Sequence, residues 1–112
     1  MNFKTEVKNN RLIVNVLAER LDTLSAPELK SIFTFEQKKG HNKIILNLGK
    51  TKFCDSSGLS AILVGNRLCK DTNGLFALAQ VQSMVLKMIE IAQLLTVLKI
   101  YPNVEEALRD FE

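Results

Sequence analysis

Hydrophobic positions along this chain change period repeatedly, and the changes divide it into elements. Residues 3 to 8 and 11 to 17 read as two strands joined by Asn9-Asn10, a polar pair that tolerates left-handed backbone angles. Leu12-Ile13-Val14-Asn15-Val16-Leu17 is nearly continuous in apolar character, the pattern of a strand covered on both faces. Glu19 to Thr23 is polar around one apolar anchor and reads as a loop.

Ser25-Ala26-Pro27-Glu28 reads as a helix start. Ser25 caps, Glu28 reaches back, and Pro27 sits in the first turn, where its missing N–H costs nothing. Leu29, Ile32, Phe33 and Phe35 mark the buried side, and Lys38-Lys39-Gly40 closes the helix. Lys43 to Leu48 is a short apolar strand leading to Phe53-Cys54-Asp55-Ser56-Ser57-Gly58-Leu59. A second helix then spans about Ser57 to Thr72, with Leu59, Ile62, Leu63, Asn66 and Cys69 on one side. Gly65 lies mid-helix, where it costs about 1 kcal/mol relative to alanine, and points to a close backbone contact. Asn73-Gly74 stops that helix, and Leu75 to Ala79 is a buried strand. Ser83 caps a third helix with Val85, Met88, Ile89 and Ala92 on one stripe, and Met84 and Met88 are read as core. Thr96 to Tyr101 reads as a final strand, and Pro102-Asn103-Val104-Glu105-Glu106 as a capping box. The last helix turns Val104, Ala107, Leu108 and Phe111 inward.

The expected order is β-β-α-β-α-β-α-β-α in one domain over residues 1–112. After the first hairpin, strands and helices alternate, so the α/β sheet is expected to be mixed but mostly parallel, with helices mainly on one face. Functional loops of such sheets gather at strand carboxyl ends, where Asp55-Ser56-Ser57-Gly58 falls.

Composition narrows the function classes. With 46% hydrophobic and 24% charged residues the chain is an ordinary globular sequence. Ten of its fifteen Lys and Arg lie in the first 52 residues, but scattered among acids, and Tyr101 is the sole tyrosine. Neither feature reads as nucleic-acid binding, and Lys50 and Lys52 read as solvated. The first residues show no signal peptide, and no run approaches the ~20 apolar residues of a membrane span, so a cytoplasmic location is expected. Cys54 and Cys69 read as reduced core thiols.

Catalytic patterns are absent. His41, the single histidine, lies in the polar turn Lys39-Gly40-His41-Asn42, away from Ser56, and Ser56 is not framed as Gly-x-Ser-x-Gly. A Cys54–His41 dyad conflicts with Cys54 alternating into core. No glycine-rich phosphate loop and no cluster of metal ligands appears, so neither an enzyme nor a cofactor or metal is expected. Helix-start chemistry leaves two roles for Ser56 and Ser57: N-caps worth about 1 kcal/mol each, or groups presented where a phosphate is favoured.

Lys43-Ile44-Ile45-Leu46-Asn47-Leu48 followed by Phe53-Cys54-Asp55-Ser56-Ser57-Gly58-Leu59 resembles the signature of the STAS domain family. The match is to the small stand-alone anti-sigma factor antagonists. Leu21-Asp22 falls where that family has a Leu-Asp pair, and Glu105-Glu106-Ala107-Leu108 fits its final helix. The resemblance implies that Ser56 is the phosphorylated serine, and that Asp22, Asp55, Ser56, Ser57, Gly58 and Leu59 belong to the partner-binding face. Asp55 would cap the helix or orient Ser56 and the partner's magnesium–nucleotide. Gly58 would act sterically, letting a partner backbone approach. The implied partners are an anti-sigma factor serine kinase and a cognate phosphatase, with no nucleic acid and no membrane span, and a monomer is the favoured state. Unphosphorylated protein would sequester the kinase and free a sigma factor. A phosphate adds about −1.5 to −2 charge beside Asp55, and a penalty of ~3 kcal/mol would weaken the complex roughly 100-fold.

Four positions depart from the family pattern. Glu19-Arg20-Leu21-Asp22 stands where Gly-Glu-Leu-Asp is common, so Arg20 reverses a charge where the kinase would dock. Ser60 and Gln93 occupy positions where glycine is frequent. These departures bear on partner identity and keep open an alternative: a constitutive STAS subunit of a lipid-transport ABC complex or another regulatory assembly, with Ser56 never modified.

Overall fold

A computed structural model describes residues 2–111. The element order is β1 (Phe3–Lys8), β2 (Arg11–Val16), β3 (Arg20–Leu21), α1 (Ala26–Lys38), β4 (Lys43–Asn47), β5 (Phe53–Cys54), α2 (Ser56–Asp71), β6 (Leu75–Ala79), α3 (Ser83–Ile91), β7 (Lys99–Tyr101) and α4 (Val104–Asp110). Five strands form one sheet in the order β1-β2-β4-β6-β7. The β1–β2 hairpin is antiparallel, and every later pairing in this sheet is parallel. Asn9 and Asn10 turn the hairpin at φ of 53° and 64°, as their tolerance of the left-handed region allows.

Alternation along the central strands distributes side chains to two cores. Leu12, Val14 and Val16 of β2, Ile44 and Leu46 of β4, and Phe76 and Leu78 of β6 join Leu29, Phe33, Ile62, Val85 and Ile89 from α1, α2 and α3. The opposite positions, Ile13, Ile45, Ala77 and Ala79, pack against Ala107, Leu108 and Phe111 at the other face, where α4 lies. Three helices therefore cover one face and one short helix the other. Coverage on both sides explains why β2 and β4 are apolar almost without interruption.

Several expected details are corrected. The expected loop at residues 19–23 contains β3, which pairs in parallel with β5, a strand the apolar pattern did not show. The Ser25–Glu28 capping box does not form: Ser25 makes no side-chain cap to α1. Its Oγ instead accepts from the Asp22 amide at 3.1 Å and donates to the Arg20 carbonyl at 3.0 Å. Phe35 is 60% exposed rather than buried, with the Lys39 ammonium 4.9 Å from its ring centre.

At Gly65 the close neighbours are rings, not backbone. A Cβ there would stand 2.7 Å from ring atoms of both Phe33 and Phe76, which meet edge to face beneath it. The third helix is N-capped at Gln82, without a side-chain bond, rather than at Ser83. Met84 is 56% exposed, not core, and Ala92 is exposed. The final strand starts at Lys99, not Thr96. In the last helix Asn103 caps, its side-chain oxygen accepting from the Glu106 amide at 2.9 Å.

Candidate functional site

The site is built where two short segments run side by side. Residues 18–21 and 51–55 are joined rung by rung. Thr51 Oγ1 donates to the Ala18 carbonyl at 3.0 Å, and the Lys52 and Phe53 amides donate to the Glu19 carbonyl at 2.8 and 3.1 Å. Arg20 then pairs with Phe53 and Leu21 with Cys54 in the β3–β5 register. One residue further on, the Asp55 amide donates to the Leu21 carbonyl at 3.2 Å. Thr51, Leu21 and Cys54 are all fully buried, so this connection belongs to the core. Its effect is to set the β3–α1 loop, which carries Asp22, against the β5–α2 junction, which carries Asp55 and Ser56.

Each loop is held by its own carboxylate. Asp55 is the N-cap of α2: extended at φ −102°, it accepts from the Gly58 amide at 3.0 Å through Oδ1. The acid, not either serine, is therefore the cap, and α2 begins at Ser56. Ser56 is exposed and Ser57 half-buried, both in the first turn, where amides lack helical partners and the helix dipole favours negative charge. Asp22 accepts from the Leu24 amide at 3.1 Å through Oδ1, and its Oδ2 lies 3.3 Å from Arg20 Nε. The Leu24 amide holds the Asp22 carboxyl below its usual range against a smaller opposing effect of desolvation, with help from Arg20 and the Ser25 amide. Arg20 also lies over the Phe53 ring, 4.3 Å from its centre.

Gly58 is buried, and its requirement is internal. A Cβ at this position would fall 2.2 Å from the Leu21 carbonyl oxygen and 2.7 Å from Cys54 Sγ. The close approach is to this chain's own β3, which lets the first turn of α2 press onto the loop bearing Asp22. Leu59 is 7% exposed and packs into the larger core. Of the sequence-derived site residues, Asp22, Asp55, Ser56 and Ser57 thus reach the surface together, while Gly58 and Leu59 lie behind them.

Cys54 and His41 do not meet. They lie beyond opposite ends of β4, a strand whose five residues span about 16 Å at the usual rise. Burial, with Asp55 nearby, pushes the Cys54 thiol up to about 12, so no thiolate is available near neutral pH. His41 Nε2 instead lies 3.7 Å from Glu36 Oε1 at the end of α1. Leu24 was missed as a neighbour of the site, as was the stacking of Arg20 on Phe53. Leu24 is 90% exposed at its edge, beside Asp22. A two-residue strand has no period to detect, and only the likeness of the Glu19-Arg20-Leu21-Asp22 run to a family pattern pointed to this segment.

The STAS domain model matches residues 2–107. The chain belongs to the STAS domain family. Among named relatives, the anti-sigma F factor antagonist of Paenibacillus polymyxa is 29% identical over 114 residues, covering 100% of this chain and 97% of that protein. Among solved structures, an anti-sigma-factor antagonist (STAS) domain protein from Planctomyces limnophilus superimposes with a TM-score of 0.90 at 18% identity, covering 99% of this chain and 98% of its own. The anti-sigma factor antagonist SpoIIAA in its unphosphorylated form gives 0.81 at 22% identity, with 96% and 94% covered. Its phosphorylated form, described as the Bacillus cell fate determinant, gives 0.76 at 20% identity, with 98% and 99% covered. These three likenesses establish the fold of this STAS chain. No helix among the described residues is long and apolar enough to cross a membrane.

Proposed function

We propose that this STAS domain, acting as one unit over residues 1–112, is an anti-sigma factor antagonist switched by phosphorylation of Ser56. The observation that carries the proposal is the exposed Ser56 hydroxyl at the first position of α2, outside the Asp55–Gly58 capping bond and beside the loop of Asp22. In the unphosphorylated state the surface formed by Asp22, Asp55, Ser56 and Ser57, backed by Gly58 and Leu59, docks an anti-sigma factor serine kinase in the cytoplasm. Sequestering that kinase frees a sigma factor, and a cognate phosphatase returns the switch to its binding state. The chain works here as a binding module, not as a catalyst.

The physical basis is local. A phosphate at Ser56 is tolerated by the free protein, because it sits at a helix N-terminus. Burying it against a partner would require stripping its water next to Asp55, and the complex would lose affinity without any large rearrangement. The name of the Paenibacillus relative and the solution of SpoIIAA in two phosphorylation states support this reading.

The test is to mix the protein with candidate kinases and ATP and to locate phosphate by mass spectrometry. Modification at Ser56, together with an S56D variant that binds the kinase at least tenfold more weakly, is the expected result. No modification, or equal binding by S56D, would overturn it.

Arg20 favours a second reading. It is 63% exposed and presents positive charge on the proposed docking face. A constitutive subunit of a lipid-transport ABC complex or another assembly would use the same face with Ser56 unmodified. Pull-down of an ATPase, with no kinase of a sigma pathway, would select it.

A further inference from the structure

We infer that Arg20 is the intramolecular counter-ion of phosphorylated Ser56, holding the phosphate on this chain's own surface. The inference rests on the reading of Ser56 as a phosphorylation site. Arg20 starts level with Phe53 in the β3–β5 register. Its Nε reaches forward to the carboxylate of Asp22, 3.3 Å away. Asp22 follows the Leu21–Cys54 pair, and the Leu21 carbonyl accepts from the Asp55 amide. The guanidinium is thus held between the Phe53 ring and the Asp22 carboxylate, on the segment whose Leu21 carbonyl accepts from the Asp55 amide beside Ser56.

Two contacts fix it there, the Asp22 carboxylate on the Nε edge and the Phe53 ring 4.3 Å from Cζ. Both use one edge and one face of the group. The two Nη atoms remain for a phosphate, which guanidinium binds in bidentate fashion. A pre-set arginine gives up little rotamer freedom when the phosphate arrives. The remaining charges nearby are Asp22 and Asp55, which repel the phosphate, and the Glu19–Lys52 pair, whose charges stand 3.8 Å apart and are both well exposed. Arg20 is therefore the group able to offset the two acids, and phosphorylation would turn its charge from an outward-facing docking feature into an internal one. A kinase that reads Arg20 in the unmodified protein would find it withdrawn in the modified one.

The experiment places phosphoserine at position 56 co-translationally, so the modification needs no kinase, and follows its ³¹P signal against pH. The second ionisation of an unpaired phosphoserine lies near pH 6. It is expected lower in the otherwise wild-type protein, and R20Q should raise it by about half a pH unit or more. R20K, which keeps the charge without the fork, should fall between, and K52Q should shift it less than R20Q does. Identical titrations for R20Q and the parent, or an equal shift from K52Q, would overturn the inference; R20K supplies the same comparison should R20Q fail to fold. Kinase treatment of unmodified protein is scored separately. An Arg20-dependent titration without enzymatic phosphorylation would leave the counter-ion standing and remove the switch. Phosphorylation without an Arg20 effect would do the reverse.

Discussion

The amide of Asp55 donates to the carbonyl of Leu21 at 3.2 Å, and that same carbonyl oxygen is what a Cβ on Gly58 would strike at 2.2 Å. One backbone oxygen thus positions the cap of α2 and demands glycine in its first turn. The junction that presents Ser56 and the loop that presents Asp22 are tied at a single point.

Replacing Gly58 by alanine should therefore be severe. The atoms it would meet are the carbonyl of the buried Leu21 and the Sγ of Cys54, neither of them the end of a long flexible chain. A loss of about 2–3 kcal/mol is expected from overpacking of this kind. Urea denaturation with an unchanged slope would measure it. A G58A protein as stable as the parent would show that the two loops are not tightly apposed.

Asp55 offers a graded test of capping. D55A removes the bond to the Gly58 amide and should cost about 1 kcal/mol, whereas D55N, a comparably good cap, should cost a few tenths. S56A should leave the melting temperature within a degree or two, since Ser56 is exposed and the cap is the acid. A large loss in S56A would transfer the capping role to the serine.

Asp22 ties stability to acid pH. Its carboxyl is held below the usual range, first by the Leu24 amide and further by Arg20, so the folded state favours the ionised form. The contribution is complete above the ordinary aspartate range near pH 4 and is lost as pH falls through the lowered folded value. D22N should show a flatter decline of stability between about pH 5 and pH 2 than the parent does. Parallel curves would show that Asp22 is not held in this way.

The thiols act at the other end of the scale. Burial raises both Cys54 and Cys69 to about 12. An unfolded thiol ionises near 8.5, so the unfolded state loses protons first and stability declines as pH rises from about 9 towards 12. C69A and C54A should each flatten that alkaline decline, at the cost of a small cavity. At pH 8 both thiols should resist Ellman's reagent in the native protein and react promptly in guanidinium. Fast native reaction would place a thiol at the surface.

Much of the fold was legible along the chain. The five strands of the main sheet, the four helices and their order follow from hydrophobic period and from terminators such as Lys39-Gly40 and Asn73-Gly74, which act locally. The near-continuous apolar runs of β2 and β4 already required cover on both faces, and α4 on the face opposite α1, α2 and α3 supplies it. The Asp55-Ser56-Ser57-Gly58 run marked the strand-to-helix junction as the place of interest. Where capping was read from residue type alone it failed at Ser25 and Ser83, and at Ser25 the hydroxyl has other partners within reach. Those are the Asp22 amide and the Arg20 carbonyl.

Tertiary structure decided the rest. Pairing of Arg20-Leu21 with Phe53-Cys54 joins residues far apart in the chain through strands too short to carry a period, so no local pattern records it. That pairing ties the Asp55 amide to the Leu21 carbonyl next to Asp22, turns Arg20 over Phe53, and makes Gly58 a matter of internal contact with Leu21. Sequence by itself determined that the chain forms a mixed α/β sheet with an acid, two serines and a glycine at a helix start. Which of them caps, which is buried and which faces solvent depended on backbone groups arriving from a second segment, and only the folded chain sets those distances.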